Sequence, residues 1–292
     1  MTALEFKSPA PKPQEQVPPP ASQIEELKFE AGIATRERHH QDAYFSLPEK
    51  GIFGIFDGVS GEKGGAASAN ARDLISDLLS KLPPDLPEEE WENNLIEALK
   101  KADEFIRGEG GTTALVAKII KTKEDKRKLI IAHVGDSRAY LQRGDNELKQ
   151  LTIDDNLMKH DLTEMKRERE IETMQKKLNN ALKKEELTTE EYAFYYLRDQ
   201  ISQALGGVCQ PSSSIVELEN GDVLLLSTDG LHGNLTDSRP DGLTPSIEDL
   251  LKTKARAQEK ANALAQAAYE RSKLGGFRGK PDDITAVVVT LL

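Results

Sequence analysis

The sequence predicts an α+β domain layered on antiparallel β-sheets, and three observations carry this. Its β-type segments come in runs, strands then helices then strands again, instead of alternating strictly with helices as βαβ units do. Two long segments have helical periodicity and clear stop signals. The last run, Ile284-Thr285-Ala286-Val287-Val288-Val289-Thr290, is so rich in β-branched residues that it reads as a core strand.

Residues 1 to about 25 hold Pro9, Pro11, Pro13 and Pro18-Pro19-Pro20 among Gln, Lys and Glu, which favours a disordered tail. Strands are expected at 29–35, 43–47 and 51–56, the last a short apolar run that stops at Asp57. Residues 66–82 read as a helix with Leu74, Leu78, Leu79 and Leu82 on one side, ended by Pro83-Pro84. A second helix is expected at 88–107, where Trp91, Leu95, Leu99, Ala102 and Ile106 recur at helical spacing before Gly108. A meander of antiparallel strands follows at 112–120, 128–134, 138–142 and 147–151. The charged stretch 156–200 is helix-prone, with Leu157, Leu162, Met165, Ile171, Met174 and Leu178 as its apolar positions, the pattern of a surface insertion. Strands return at 214–218 and 222–227. One long helix is expected from Ser246, which has Asp249 in the capping-box position, to Gly275-Gly276.

The bulk composition excludes several classes. A 292-residue chain with 37% hydrophobic and 30% charged residues and a net charge of −11 is an ordinary acidic globular protein. Phosphate backbones select basic faces, so nucleic acid is not an expected partner and a nuclease is disfavoured. No stretch reaches the ~20 apolar residues of a membrane span. A single cysteine, Cys209, forms no intramolecular disulfide, which favours a reducing, cytoplasmic setting. Its surroundings, Gly206-Gly207-Val208-Cys209-Gln210-Pro211, have no phosphate-cradling loop with a following arginine, so an inert thiol is expected. Asn234-Leu235-Thr236 fits a glycosylation acceptor by chance in that setting.

Four aspartates each flank a β-type run beside glycine or a small polar residue: Asp57, Asp136, Asp229 and Asp282, with Asp42 a possible fifth. Strand ends anchor side chains rigidly at the open rim of a sheet, and a neighbouring glycine lets a hydrated ion approach the main chain. Each Asp-Gly alone is a common turn pair. Carboxylates brought together would raise one another's pKa, so a cation or a proton must neutralise them, and oxygen-only ligands suit magnesium or manganese.

These motifs resemble the metal-dependent protein phosphatases of type 2C. The matching elements run in that family's order: Phe53-Gly54-Ile55-Phe56-Asp57-Gly58, Gly111-Thr112-Thr113-Ala114, His133-Val134-Gly135-Asp136-Ser137-Arg138-Ala139, Leu225-Leu226-Ser227-Thr228-Asp229-Gly230-Leu231 and Asp282-Asp283-Ile284-Thr285. The resemblance implies a sandwich of two antiparallel sheets flanked by helices, formed by residues 26–292, with 156–200 as a flap-like insertion. It implies two Mn²⁺ or Mg²⁺ ions bridged by Asp57, one also held by the Gly58 carbonyl, with Asp229 and Asp282 completing the other's shell. Asp42 is expected to ligate or order metal-bound water and Asp136 to help hold a weaker third ion. The implied reaction is in-line attack of a metal-bridging hydroxide on phosphoserine or phosphothreonine of a phosphoprotein, opposing a Ser/Thr kinase, by a monomer. His39 and His40 are candidate proton donors to the leaving oxygen.

Departures from the family pattern are specific. Glu37 stands where the substrate-phosphate arginine is usual, so Arg36 or Arg38 is expected to take that role. The glycine pair after the bridging aspartate is displaced to Gly64-Gly65, Gln41 replaces an acid, and Gly233 replaces an acid four residues after Asp229. Two other readings stay open: a pseudophosphatase that binds without turnover, and a phosphohydrolase of small esters.

Overall fold

The computed structural model describes residues 28–59, 61–239 and 244–292, so the proline-rich stretch at 1–25 lies outside the described residues. The chain begins with strands β1 (Phe29–Arg36), β2 (Asp42–Leu47) and β3 (Ile52–Val59), then helices α1 (Gly64–Ser80) and α2 (Glu88–Ile106). Strands β4 (Gly111–Thr112), β5 (Ala114–Lys121), β6 (Arg127–Val134), β7 (Arg138–Gln142) and β8 (Lys149–Gln150) follow. Helices α3 (Leu157–Glu164), α4 (Ile171–Asn180) and α5 (Thr189–Leu197) form the insertion. The remainder is β9 (Ser212–Leu218), β10 (Val223–Ser227), the single turn α6 (Asp229–His232), α7 (Ile247–Leu251), α8 (Ala257–Leu274) and β11 (Ile284–Leu291).

These strands form two antiparallel sheets, ordered β1-β11-β10-β7-β8 and β2-β3-β5-β6-β9. Side-chain alternation explains the layering. In β3, Phe53 and Ile55 face the other sheet, while Ile52 and Phe56 face α1 and α2. In β11, Val287 and Val289 pack between the sheets, whereas Ala286 and Val288 pack under α8. Both faces of the central strands are therefore buried, which is why they read as unbroken apolar runs and why helices cover each outer face. Among the described residues, no helix is long and apolar enough to cross a membrane.

Two local expectations need correction. The expected meander is split: β5 and β6 pair in one sheet, β7 and β8 in the other, and the crossing is made at Gly135, whose φ is +98°. Of 147–151, only Lys149–Gln150 pairs. The expected helix from Ser246 to Gly275 is two helices. The Ser246–Asp249 capping box forms, but the chain turns extended at Arg256, whose N–H donates to Glu259 Oε2 at 3.0 Å, and α8 starts afresh from there.

The insertion 156–200 is a three-helix unit with its own apolar core, including Met158, Leu162, Leu178, Phe194 and Tyr195. It is also tied to the first sheet through buried polar groups. Arg138 of β7 pairs with Asp154, and Gln175 of α4 donates to Asp154 Oδ1 at 2.8 Å. Asn179 donates to Asp237 Oδ2 at 2.7 Å, while Asp237 Oδ1 accepts from Tyr140 at 3.0 Å.

Candidate active site

β2 and β3 pair so that Asp42 lies directly opposite Asp57. Asp57 is fixed from the backbone: its N–H donates to Thr113 Oγ1 at 3.0 Å and its carbonyl accepts from Thr113 N–H at 2.8 Å. Thr113 Oγ1 also bonds Ser137 Oγ at 2.8 Å, linking this strand end to the crossing that carries Asp136. The Gly111-Thr112-Thr113-Ala114 motif is thus a brace beneath Asp57. Gly58 is required by close approach, since a Cβ there would stand 2.4 Å from the Gly64 backbone at the start of α1. The glycine pair that the sequence displaces to 64–65 still packs against the strand end.

Asp229 opens α6 at the end of β10, and Asp282 stands just before β11, the neighbouring strand. Both strand ends meet the β3 end of the other sheet. Asp57, Gly58, Asp136, Asp229 and Asp282 consequently line one pocket of about 440 Å³, together with Gln41 and, from the end of the insertion, Asp199, Gln200 and Ile201. Asp42 sits behind the pocket wall, its Oδ2 accepting from Thr228 at 2.8 Å and Thr285 at 2.6 Å.

The electrostatics are those of an acidic cluster short of cations. Burial first, then the charges of Asp229, Asp42 and Asp136, push Asp57 well above the usual carboxylate range. Asp136 is likewise raised by burial and by Asp229. Asp42 is raised to about 8 by burial, although the hydrogen bonds from Thr285 and Thr228 oppose it. Asp282 is raised by burial and by Asp229. Asp42 Oδ1 and Asp229 Oδ1 are buried and have no hydrogen-bond partner in the described residues.

Two participants were not anticipated from sequence. Lys280 places its ammonium against Asp229 Oδ2 and 3.4 Å from Asp282 Oδ2. Burial works against that charge, but Asp229, Asp136 and Asp282 outweigh it and hold the lysine well above its usual range. Asp283 turns the other way and collects the backbone N–H groups of Arg38, His39 and Gln41, the latter two at 2.7 Å. Burial opposes its charge, yet those three donors leave it below the ordinary carboxylate value. Neither residue type announces such a partner from its own neighbourhood in the chain.

The candidate phosphate-binding arginines and histidines stand apart from the acidic pocket. Arg36 donates to Thr35 O at 3.0 Å and to Gln266 Oε1 of α8 at 3.1 Å. Arg38 is exposed, on the loop that Asp283 clasps. The His40 ring pairs with Glu37 at 2.8 Å on the surface, from a residue held at φ +58°. Neither arginine and neither histidine lines the pocket.

Whether these residues suit divalent metal can be judged on their donors. Among the described residues, no three of His, Cys, Asp and Glu form a group that would hold an ion alone. Magnesium-like ions keep several waters and need only one or two carboxylates each, so shared carboxylates around a wet pocket are adequate. The partnerless Asp42 and Asp229 oxygens and the raised carboxylates call for neutralisation, by protons or by cations. The site fits hard cations.

Comparison with known proteins bears on the family and the fold. The family model for "Protein phosphatase 2C" matches residues 29–271. The serine/threonine phosphatase stp of Listeria welshimeri is 28% identical over 269 residues, covering 87% of this chain and 91% of that protein. Protein phosphatase PhpP of Streptococcus pneumoniae is 31% identical over 204 residues, covering 69% of this chain and 66% of that one. Among solved structures, the catalytic domain of the serine/threonine protein phosphatase PstP, in complex with two manganese ions, superposes with a TM-score of 0.63 at 22% identity, covering 91% of this chain and all of that one. Matched from its first strand into its last long helix, the chain belongs to the protein phosphatase 2C family.

Proposed function

We propose that the chain hydrolyses phosphoserine and phosphothreonine of proteins with the help of divalent cations, Asp57, Asp229 and Asp282 with the Gly58 carbonyl holding two of them. The observation that carries this reading is the meeting of Asp57, Asp136, Asp229 and Asp282, from four separated strand ends, at one pocket. When bound, the cations supply Lewis acidity that activates water and offsets the phosphoryl charge. The chain's own groups do the rest. Thr113 and the Gly58–Gly64 contact hold Asp57 in place, and Thr228 and Thr285 fix the Asp42 carboxylate. Asp136 is the residue for a weaker third ion.

Arg38, on the clasped loop, is the better placed of the two arginines for substrate phosphate, because Arg36 is engaged with Gln266. The half-exposed rim suits a phosphorylated side chain of a protein better than a metabolite needing enclosure. A Ser/Thr kinase is the natural counterpart, and the cytoplasm is the compartment we infer. Cys209 is consistent with an inert thiol, since burial, then Asp103, pushes it up to about 12.

The test is hydrolysis of a phosphothreonine peptide with Mn²⁺, with Mg²⁺ and with chelator, beside Asp57→Asn and Asp229→Asn. Turnover with metal and none in chelator or in either variant is expected. Equal turnover in chelator sinks the metal dependence, and inert protein in every metal leaves a binding module.

A further inference from the structure

Lys280 brings a charge into the acidic pocket that the proposed chemistry does not use. Its ammonium contacts Asp229 Oδ2 and stands 3.4 Å from Asp282 Oδ2, between the two carboxylates assigned above to one metal ion. This placement is built and not a stray surface rotamer. The buried Asn234 amide grips the Lys280 backbone from both sides, accepting its N–H at 2.9 Å and donating to its carbonyl at 2.7 Å. The same amide donates to Gly230 O at 2.7 Å, which locks Lys280 in register with the turn that carries Asp229. The stem runs beside Gly233, where a Cβ would come within 2.6 Å of Asp229 O and 3.2 Å of Lys280 Cδ. Just upstream the loop is pinned again, by Arg278 donating to Leu235 O at 2.8 Å and by Phe277 stacked on Tyr195 at 4.1 Å.

We propose that Lys280 is a tethered cation that occupies the Asp229–Asp282 pair in the metal-free protein and is displaced when a divalent ion binds there. It thereby sets the metal affinity of that half of the site. An ammonium and a hydrated dication compete for the same carboxylate lone pairs, so one must leave for the other to enter. The inference rests on the metal-dependent reading above. Lys280 acts here through Asp229 and Asp282, as a positioning residue.

The experiment measures Mn²⁺ binding directly on the full chain, from the electron paramagnetic resonance signal of free Mn²⁺, for wild type, Lys280→Met and Lys280→Arg. Lys280→Met is expected to bind Mn²⁺ roughly tenfold or more tightly, because the competing charge is gone. Lys280→Arg keeps that charge and stays within a few-fold of wild type. Thermal unfolding supplies a second readout: Lys280→Met melts below wild type in chelator, and Mn²⁺ raises its melting temperature more than that of wild type. A third needs no variant. An amine-reactive label, followed by mass spectrometry of the 280 peptide, marks wild-type Lys280 more when Mn²⁺ is added than in chelator. Unchanged or weaker Mn²⁺ affinity in Lys280→Met, or labelling that Mn²⁺ fails to increase, overturns the inference while leaving the phosphatase reading intact. If neither wild type nor Lys280→Met binds Mn²⁺ at millimolar concentration, the metal reading fails and this inference with it.

Discussion

Aspartates occur in two polar regions of this molecule, at the pocket rim and beneath the helical insertion, and their surroundings are opposite. Beneath the insertion, Asp154 accepts from Arg138 Nη2 at 2.6 Å, from Gln175 at 2.8 Å and from Gln150 at 3.1 Å. Asp155 is held by Lys159 at 2.6 Å and by the Gly135 N–H at 3.1 Å. Asp237 has Tyr140 and Asn179. At the rim, Asp57, Asp136, Asp229 and Asp282 face one another, with Lys280 as the cation among them. Burial of a carboxylate is therefore not what marks function here. A buried acid whose partners are complete is structural, and one whose partners are other acids is where the proposed cations would bind.

Four measurements would break or sharpen that contrast. The largest effect is expected at the rim. Asp57→Asn should lower phosphopeptide hydrolysis roughly 10³-fold or more, while the chelated protein melts no lower than wild type, since a repelling charge has been removed. A variant that both loses activity and unfolds would erase the distinction. Beneath the insertion the pattern should invert: Asp154→Ala strands the Arg138 guanidinium in the interior and should cost about 3–5 kcal/mol in denaturant unfolding. A loss below about 1 kcal/mol would mean that the pair is not structural.

The third measurement is the pH dependence of stability in chelator. Asp42 sits at about 8 when folded against 3.8 otherwise, so the folded state binds the extra proton. Its favourable contribution is fully present below about pH 4 and is lost as pH rises toward 8. Asp42→Asn should flatten that decline, and saturating Mn²⁺ should remove most of it. Stability rising across the same window would contradict the assignment. The smallest effect is expected from Asn179→Ala, which leaves Asp237 Oδ2 and Gln150 Oε1 short of a donor. A loss of about 1–3 kcal/mol is expected, with hydrolysis per folded molecule unchanged. A fall in turnover without a fall in stability would show that the insertion tunes the chemistry.

Much of the architecture was legible because it is local. Apolar runs bounded by glycine and aspartate marked the central strands, and Asp57, Asp229 and Asp282 stood out because each sits at the end of such a run. What escaped the sequence depends on partners far along the chain. Nothing near Lys280 announces Asp229, 51 residues away, and nothing near Asp283 announces the backbone of Arg38 and His39. The split of the meander between sheets was hidden because local pattern gives pairing without saying which sheet a strand joins. The helix break before Ala257 is hidden because its N-cap is Arg256, a residue rarely found there since its side chain has no acceptor for the first-turn N–H groups. Arg36 and Arg38 were equivalent in sequence, and only the fold turns one of them toward Gln266.

The position of β11 between β1 and β10 has a consequence for how the chain comes into being. On a ribosome, the first strand must wait for residues 284–291 before it acquires its only described neighbour in the sheet, and the apolar floor under α8 stays open until then. The same late stretch delivers Asp282 and the clasp on the loop after β1. With Asp282 in its proposed role, a nascent chain that stalls before this point should be both unfinished as a solid and inert as a catalyst, with hydrolytic activity emerging in one step with closure of the sandwich.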